Sequence, residues 1–441
     1  MMLNNRWTPL RKLAEQQRYW NSPYRFNTLP AGRRSGKTEI AKRKVVKRAL
    51  SGTRFPDPNF FAGAPTRDQA KRIFWKDLKL MVPKWAIKGI PSETELSINL
   101  VNGASIWVVG MDKPERIEGM PWDGGVLDEF GNMKANAWGA NVRPALADRT
   151  GWCDFIGVPE GRNHYYKLDR DARKSVVDDP VNSSWGAFHW VSADVLPAEE
   201  IEQMRHDLDP LTFDQEANAS FVSFAGRVYY CFNMETHCQR LPYNPHQPIA
   251  FCFDFNVEPG VAAILQEMEL PNGQMGTGCI GEVWIPRNSN TPAVCKKLIA
   301  DWKNHQSKIF IHGDATGGSR GTAKLSGSDW DIIEQMLGKE FGSQIKMQVP
   351  RSNPRERSRV NAFNARLKNV AGEVRFMVDP SKAPHVVDDL EGVRTLEGGS
   401  GEIDKKRDPD LTHISDGIGY YIQKQFPIEQ NRPTVVEISY A

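Results

Sequence analysis

The segment Ala31-Gly32-Arg33-Arg34-Ser35-Gly36-Lys37-Thr38 constrains this chain more than any other feature. It fits the phosphate-loop pattern GxxxxGK[ST] except that Ala31 stands where the first glycine is usual. The apolar run FNTLP leads into it as a short strand, and EIAKRKVVKRAL follows as a helix. A loop between a strand and a helix N-terminus aims several backbone N–H groups at one anion, so Gly32 to Gly36 would cradle the β-phosphate. Lys37 would pair with the β- and γ-phosphates, and the Thr38 hydroxyl would ligate Mg²⁺. The competing reading is a Gly-rich structural turn. Arg33 and Arg34 argue against it, because two guanidinium groups beside a triphosphate neutralise charge that develops during γ-phosphoryl transfer.

A phosphate loop also needs a second strand ending in carboxylates. VLDEF supplies one, with Asp128 to hold the Mg²⁺ shell and Glu129 to orient and deprotonate the attacking water. Gly124 and Gly125 occupy positions in it where bulky apolar side chains are usual. Arg143 and Arg149, in NVRPALADRTG, could supply an arginine finger in cis or in trans; a surface salt bridge is the other reading.

From 26 to about 160, short apolar runs alternate with amphipathic stretches: FNTLP, a helix over 37–50, FFAGAP, a helix over 66–81, GVLDEF and CDFIGVP. SINLV and SIWVVG, joined by Asn102-Gly103, read as a β-hairpin. Strands alternating with helices indicate an α/β domain with a largely parallel sheet over 1–160. Residues 161–245 read as a polar lid or linker subdomain. A second series over 246–426 runs strand, strand, strand, helix, strand, which is compatible with an RNase H-like sheet. The Gly/Ser-rich 314–329 reads as a flexible loop, and 427–441 as a loosely ordered tail.

Composition sets the bounds. A length of 441 residues allows two to three domains, at about 150 residues each, and 25% charged with 40% hydrophobic residues excludes wholesale disorder. No stretch approaches the ~18 consecutive apolar residues of a membrane span, and the N-terminus lacks an apolar signal core, so a soluble, cytoplasmic protein is expected. Six cysteines without a CxxC pair are expected to be reduced core thiols. The net charge of +3 is unremarkable, yet residues 1–50 carry thirteen bases against Glu15 and Glu39. That sector is a candidate phosphate-binding surface, or else a solvated helix face.

A second acidic constellation lies downstream. Asp254 follows IAFCF and Asp314 follows IFIHG, both at the ends of buried strands where an unpaired carboxylate is costly. Asp416 lies in DPDLTHISDGIGYYI, where His413, Asp416 and Tyr420 share a helical face. Three acids on separate elements suit a phosphodiesterase holding two Mg²⁺ or Mn²⁺ ions ~4 Å apart; N-caps and salt bridges are the alternative. Arg351, Arg355, Arg357, Arg359, the KKR run at 405–407, Arg320 and Lys324 are candidates for DNA phosphates. No base-reading motif is visible, which suggests sequence-independent contacts.

In this order, GRRSGKT, APTRDQAK, IEGMPWDGGVLDEF, VRPALADRTG, FIGVPEGRNHYY, FCFDFN, HGDATGG and THISDGIGYY resemble the large terminase subunit of tailed double-stranded DNA bacteriophages. The resemblance implies an N-terminal ASCE-type, RecA-like P-loop ATPase that translocates double-stranded DNA into a procapsid. It also implies a C-terminal RNase H-like nuclease that cuts the concatemer, with ATP, Mg²⁺ and, for the nuclease, Mn²⁺ as cofactors. By that likeness Gln17 with Arg25 forms the adenine-side motif, with neighbouring Gln16 as the alternative. Lys37, Thr38, Asp128 and Glu129 keep the roles given above, Asn163 lies in the coupling motif, and Asp254, Asp314 and Asp416 match the nuclease acids. Val158 departs from the Thr or Ser that the family often has before the proline. The implied partners are a small terminase subunit, the portal protein and further copies in a ring, with no membrane. The implied place is the host cytoplasm and, transiently, the procapsid, but not the mature virion. An ATP-dependent helicase-nuclease would need a second RecA-like domain after residue 160. A non-catalytic ATP-regulated DNA-binding protein would lack acids that are present here.

Overall fold

The computed structural model describes residues 13–222, 226–255, 259–315, 328–396, 402–408 and 410–428. Arg6, Arg11, Lys12, Arg320, Lys324, most of the Gly/Ser-rich loop and the tail beyond 428 lie outside them. Two compact units emerge: residues 1–201 with 214–223, and 202–213 with 224–441. The expected lid or linker over 161–245 is therefore not a unit of its own, since its first part builds onto the sheet of the first unit.

That sheet contains β1 (Phe26–Pro30), β2 (Asn59–Ala64), β3 (Ser97–Asn99), β4 (Ser105–Gly110), β5 (Gly124–Leu127), β6 (Trp152–Gly157) and β7 (Trp185–Ala187). Their order is β3-β4-β2-β5-β6-β1-β7, parallel throughout except for the β3–β4 hairpin that Asn102-Gly103 predicts. A parallel sheet covered on both faces buries its strands along their whole length, as β1, β2 and β5 are, with Asn27, Thr28 and Asn59 as buried polar exceptions to the apolar run. The glycines of β5 are explained by crowding, because a Cβ at Gly125 would lie 2.4 Å from the Phe61 ring and one at Gly124 would lie 2.2 Å from Trp152 Nε1.

Part of the basic sector folds inward, while Arg18, Arg33, Arg34, Lys47 and Arg48 stay exposed. On the helix Lys37–Ser51, Lys42, Arg43 and Lys44 are buried. Lys42 Nζ lies 2.6 Å from Asp77, Arg43 Nη1 lies 3.1 Å from Glu39, and Lys44 Nζ lies 2.9 Å from Asp154. A buried cation is tolerated only beside an acid, so these bases are internal struts and not the phosphate-binding surface their density suggested.

The second unit holds β8 (Ile249–Asp254), β9 (Gly260–Glu269), β10 (Met275–Ile285), β11 (Ile309–Gly313), β12 (Ile345–Met347) and β13 (Phe376–Val378), in the order β12-β11-β8-β9-β10-β13. β8, β9 and β10 form an antiparallel meander, and β11 runs parallel to β8. Side chains alternate between two cores, as the pleat requires. Ala250 and Cys252 pack with residues of the helices Glu356–Leu367, Pro384–Gly392 and His413–Gln425. Ile249, Phe251 and Phe253 pack with residues of Thr291–Trp302 and Asp329–Phe341. Helices on both faces of a mixed sheet match the RNase H-like expectation. The six cysteines are unpaired thiols, four of them buried. Among the described residues no helix is long and apolar enough to cross a membrane.

Candidate active sites

In the first unit, the C-terminal ends of the parallel strands converge on the phosphate loop, where ligands of open α/β sheets bind. The loop turns through positive φ at Arg34 (59°) and Gly36 (81°) before the helix Lys37–Ser51 begins. Ala31 is harmless because the tight approach falls one residue later. A Cβ on Gly32 would lie 2.5 Å from Ala217 O, Ser192 N and Ser192 Oγ. Lys37 Nζ lies 3.5 Å from Gly32 O, and Ser35 Oγ donates to the same carbonyl at 2.6 Å.

Asp128 follows β5 and is buried, yet the Thr38 hydroxyl donates to its Oδ2 at 2.8 Å across the intervening β6. The two groups assigned to Mg²⁺ thus meet, and their hard oxygens fit that ion. Burial raises the Asp128 carboxyl pKa, opposed by Lys37. Glu129 sits at φ 54°, strained for a non-glycine residue and typical of functional sites. Burial pushes its carboxyl up to about 7, aided by the Asp128 charge and opposed by Lys37 and Arg33. A carboxylate poised near neutrality suits a general base. Asn163 caps its own helix at Tyr165 N–H and donates to Gly131 O at 2.8 Å, just beyond Glu129. Val158 is buried, so Asn163, not residue 158, supplies the polar contact there.

Four sequence assignments move. Gln17 is exposed, whereas Gln16 is buried and donates to Ser35 O at 3.0 Å, so the alternative residue faces the loop. Arg25 precedes β1, and the phosphate loop leaves the other end of that strand, about 16 Å away at ~3.3 Å per residue. Its guanidinium instead binds Gly151 O and Leu146 O. Arg143 shares that far edge, stacked 5.1 Å from the Phe26 ring with Arg25 at 4.8 Å, so it cannot serve this chain's own phosphate loop. Arg149 pairs with Asp123 and Asp57 at 2.8 and 2.9 Å, which is the salt-bridge reading.

Sequence reasoning missed the residues that grip the loop from afar. Trp190 Nε1 donates to Ser35 O, Ser192 Oγ donates to Arg33 O, and Glu216 pairs with Arg33 Nε at 2.5 Å. No local spacing encodes contacts across such separations.

In the second unit, the parallel register of β8 and β11 pairs Phe253 with Gly313, so the next residues, Asp254 and Asp314, stand side by side. The helix His413–Gln425 crosses β8 closely; a Cβ on Gly417 would lie 3.0 Å from Cys252 O. This brings His413 Nδ1 to 3.3 Å from Asp254 Oδ2. Tyr420 on the same helix feels all three acids: burial pushes its phenol up to about 12, Arg359 opposes, and Asp416, Asp314 and Asp254 add to the rise.

The third acid is already occupied. Buried Arg359 holds Asp416 Oδ1 at 2.7 Å and Lys405 holds Oδ2 at 3.0 Å. Arg359, expected at DNA phosphates, is thus an internal partner of an acid, and Lys405 of the KKR run points at the same acid. Among the described residues no three acidic, histidine or cysteine side chains are grouped to hold one metal ion. The donor set is chemically right for Mg²⁺ or Mn²⁺, but Asp416 is engaged elsewhere.

Residues 29–236 match the family model described as "Terminase large subunit, T4likevirus-type, N-terminal". The chain is 26% identical over 236 residues to the large terminase subunit of Thermus virus P23-45, covering 46% of this chain and 47% of that protein. It is 25% identical over 226 residues to that of Escherichia phage T5, covering 49% of each. The chain therefore aligns with about half the length of these curated relatives. The solved large terminase of a thermophilic bacteriophage gives a TM-score of 0.62 at 14% identity, covering 95% of this chain and 99% of that one. The complex of that same phage protein with ADP gives 0.59 at 13%, covering 93% and 98%. At these identities the likeness is one of fold.

Proposed function

We propose, for a chain whose residues 29–236 match the N-terminal family model of the large terminase subunit, that it is a large terminase subunit whose first unit hydrolyses ATP to drive double-stranded DNA into a procapsid. The second unit cuts concatemeric DNA with the help of two divalent ions. The observation that carries this reading is the pairing, on one chain, of two strand-end acidic sites, one in each unit. One sits beside a phosphate loop, and the other has two carboxylates side by side with no nucleotide motif near.

In the first unit, the loop N–H groups and Lys37 bind the phosphates, while Arg33 and Arg34 face the charge that develops on transfer. Glu129 takes the proton of the attacking water, and its link through Gly131 O to Asn163 is the route by which hydrolysis is sensed. Mg²⁺, held by Thr38 and Asp128, supplies charge neutralisation when bound. The thermophilic phage protein crystallised with ADP, which supports the same ligand here. Arg143, at the far edge of the sheet, acts on a neighbouring copy in a ring.

In the second unit, divalent ions activate water and stabilise the leaving oxygen when bound. Asp254 and Asp314 hold them, and Asp416 joins once Lys405 releases it. Lys406, Arg407, Arg351 and Arg355 are left to meet backbone phosphates. Small terminase subunit, portal protein and procapsid are the proposed partners, in the host cytoplasm. A helicase-nuclease is disfavoured because the second unit has an antiparallel meander at its centre in place of a second RecA-like sheet.

The test is packaging itself. With cognate procapsids and linear DNA, ATP should render DNA resistant to added DNase, and Glu129→Gln should abolish the protection. Protection that persists in Glu129→Gln would refute the motor reading.

A further inference from the structure

The helix His413–Gln425 begins without a cap of its own. Its N-cap residue, Thr412, makes no side-chain cap hydrogen bond and sits at φ 86°, which a β-branched residue rarely adopts. The capping is done by Asp389, from the helix Pro384–Gly392. Its fully buried carboxylate accepts the Thr412 N–H through Oδ1 at 3.2 Å and the Ser415 N–H through Oδ2 at 2.9 Å. These are the N-cap and N3 donors that a capping box satisfies, here bridged by one distant residue. Each N–H is met by its own carboxylate oxygen, and the positive end of the helix favours an anion. An asparagine would offer one oxygen and set an amide N–H₂ against a backbone N–H.

The turn so fixed is the one that carries the nuclease groups. Ser415 directly precedes Asp416, whose N–H closes the first helical hydrogen bond on Thr412 O at 2.9 Å. His413, inside the same turn, reaches Asp254. We propose that Asp389 is a positioning residue of the nuclease site: by tying Thr412 and Ser415 it fixes the turn that carries Asp416 and sets His413 against Asp254. This rests on reading the second unit as a metal-dependent nuclease.

The test is Asp389→Asn in the full chain. It is scored by Mn²⁺ binding, by plasmid cutting over a Mn²⁺ titration, and by ATP hydrolysis as an internal control. Loss of a partner that orients a metal ligand weakens metal binding by about tenfold or more, so Mn²⁺ binding and half-maximal cutting should both shift by at least about tenfold. Excess Mn²⁺ should restore cutting, and ATP hydrolysis should stay at the wild-type rate. A second variant guards against a simple folding defect: Thr412→Gly accepts φ 86° without strain, so adding it to Asp389→Asn should recover part of the lost Mn²⁺ affinity. Wild-type Mn²⁺ affinity in Asp389→Asn would overturn the proposal. So would a loss that neither Mn²⁺ nor Thr412→Gly relieves. Failure of the wild-type protein to cut at any Mn²⁺ concentration would instead sink the nuclease reading beneath it.

Discussion

Glu129 combines a strained backbone with a carboxyl held near neutrality, and both have measurable consequences. Its folded pKa of about 7 exceeds the ordinary 4.5, so the folded chain holds this proton more tightly than the unfolded one. Its stabilising contribution is complete below the unfolded value and is lost as pH rises through about 7. The nucleotide-free protein should therefore lose more thermal stability over that window than Glu129→Gln; parallel melting curves would contradict the assignment. Lys405 offers a test of opposite sign to the usual active-site mutation. Its side chain is half exposed and holds Asp416, so Lys405→Met should lower the Mn²⁺ concentration for half-maximal cutting. If cutting falls and the Mn²⁺ requirement stays fixed, Lys405 binds phosphate instead. At this scale the sequence was legible where a motif's residue types mark its place at a strand end, as at Lys37 and Thr38 after β1 and Asp128 and Glu129 after β5. It was not legible where helix phase decides, as between Gln16 and Gln17, or where the partner is distant in the chain, as for Trp190, Ser192, Glu216 and Asp389.

Elements were legible where their period and punctuation are strong. The central strands of both sheets, the Asn102-Gly103 hairpin and the helix after the phosphate loop follow from local pattern, whereas the three-residue strands β7, β12 and β13 do not. The direction in which a sheet edge faces does not. Arg143 and Arg149 lie in the sequence between two catalytic motifs, yet they gather at the opposite end of the strands, because a chain must return to the start of β6 before it can run forward again. Arg149→Ala should therefore act on stability. It removes the ion pair of Asp123, whose side chain is 3% exposed but keeps hydrogen bonds from the Thr53 hydroxyl and the Asn59 N–H, so the loss should be smaller than the about 3–5 kcal/mol of an uncompensated buried charge; a lowered melting temperature checks this. Gly417 is the corresponding point in the second unit. Gly417→Val would push the helix His413–Gln425 off β8 and should abolish cutting while ATP hydrolysis persists. Undiminished cutting would show that close packing there is dispensable.

At the scale of the whole molecule, the sequence indicated two major parts but misplaced their boundary, since 161–245 divides between the units instead of standing apart. Nothing local marks that division, because it depends on which sheet each segment joins. The proposal that Arg143 acts on a neighbouring copy has a measurable consequence. ATP hydrolysis per subunit should thus rise with protein concentration or on procapsid binding, and Arg143→Ala should remove the rise without changing the dilute rate. The central claim is that one chain carries two chemically independent sites. Its most direct test measures ATP hydrolysis and Mn²⁺-dependent plasmid cutting on the same preparations of wild type, Lys37→Ala and Asp254→Ala. The account predicts that Lys37→Ala loses hydrolysis and still cuts, while Asp254→Ala stops cutting and still hydrolyses ATP. Cutting retained by Asp254→Ala, or hydrolysis retained by Lys37→Ala, would contradict it.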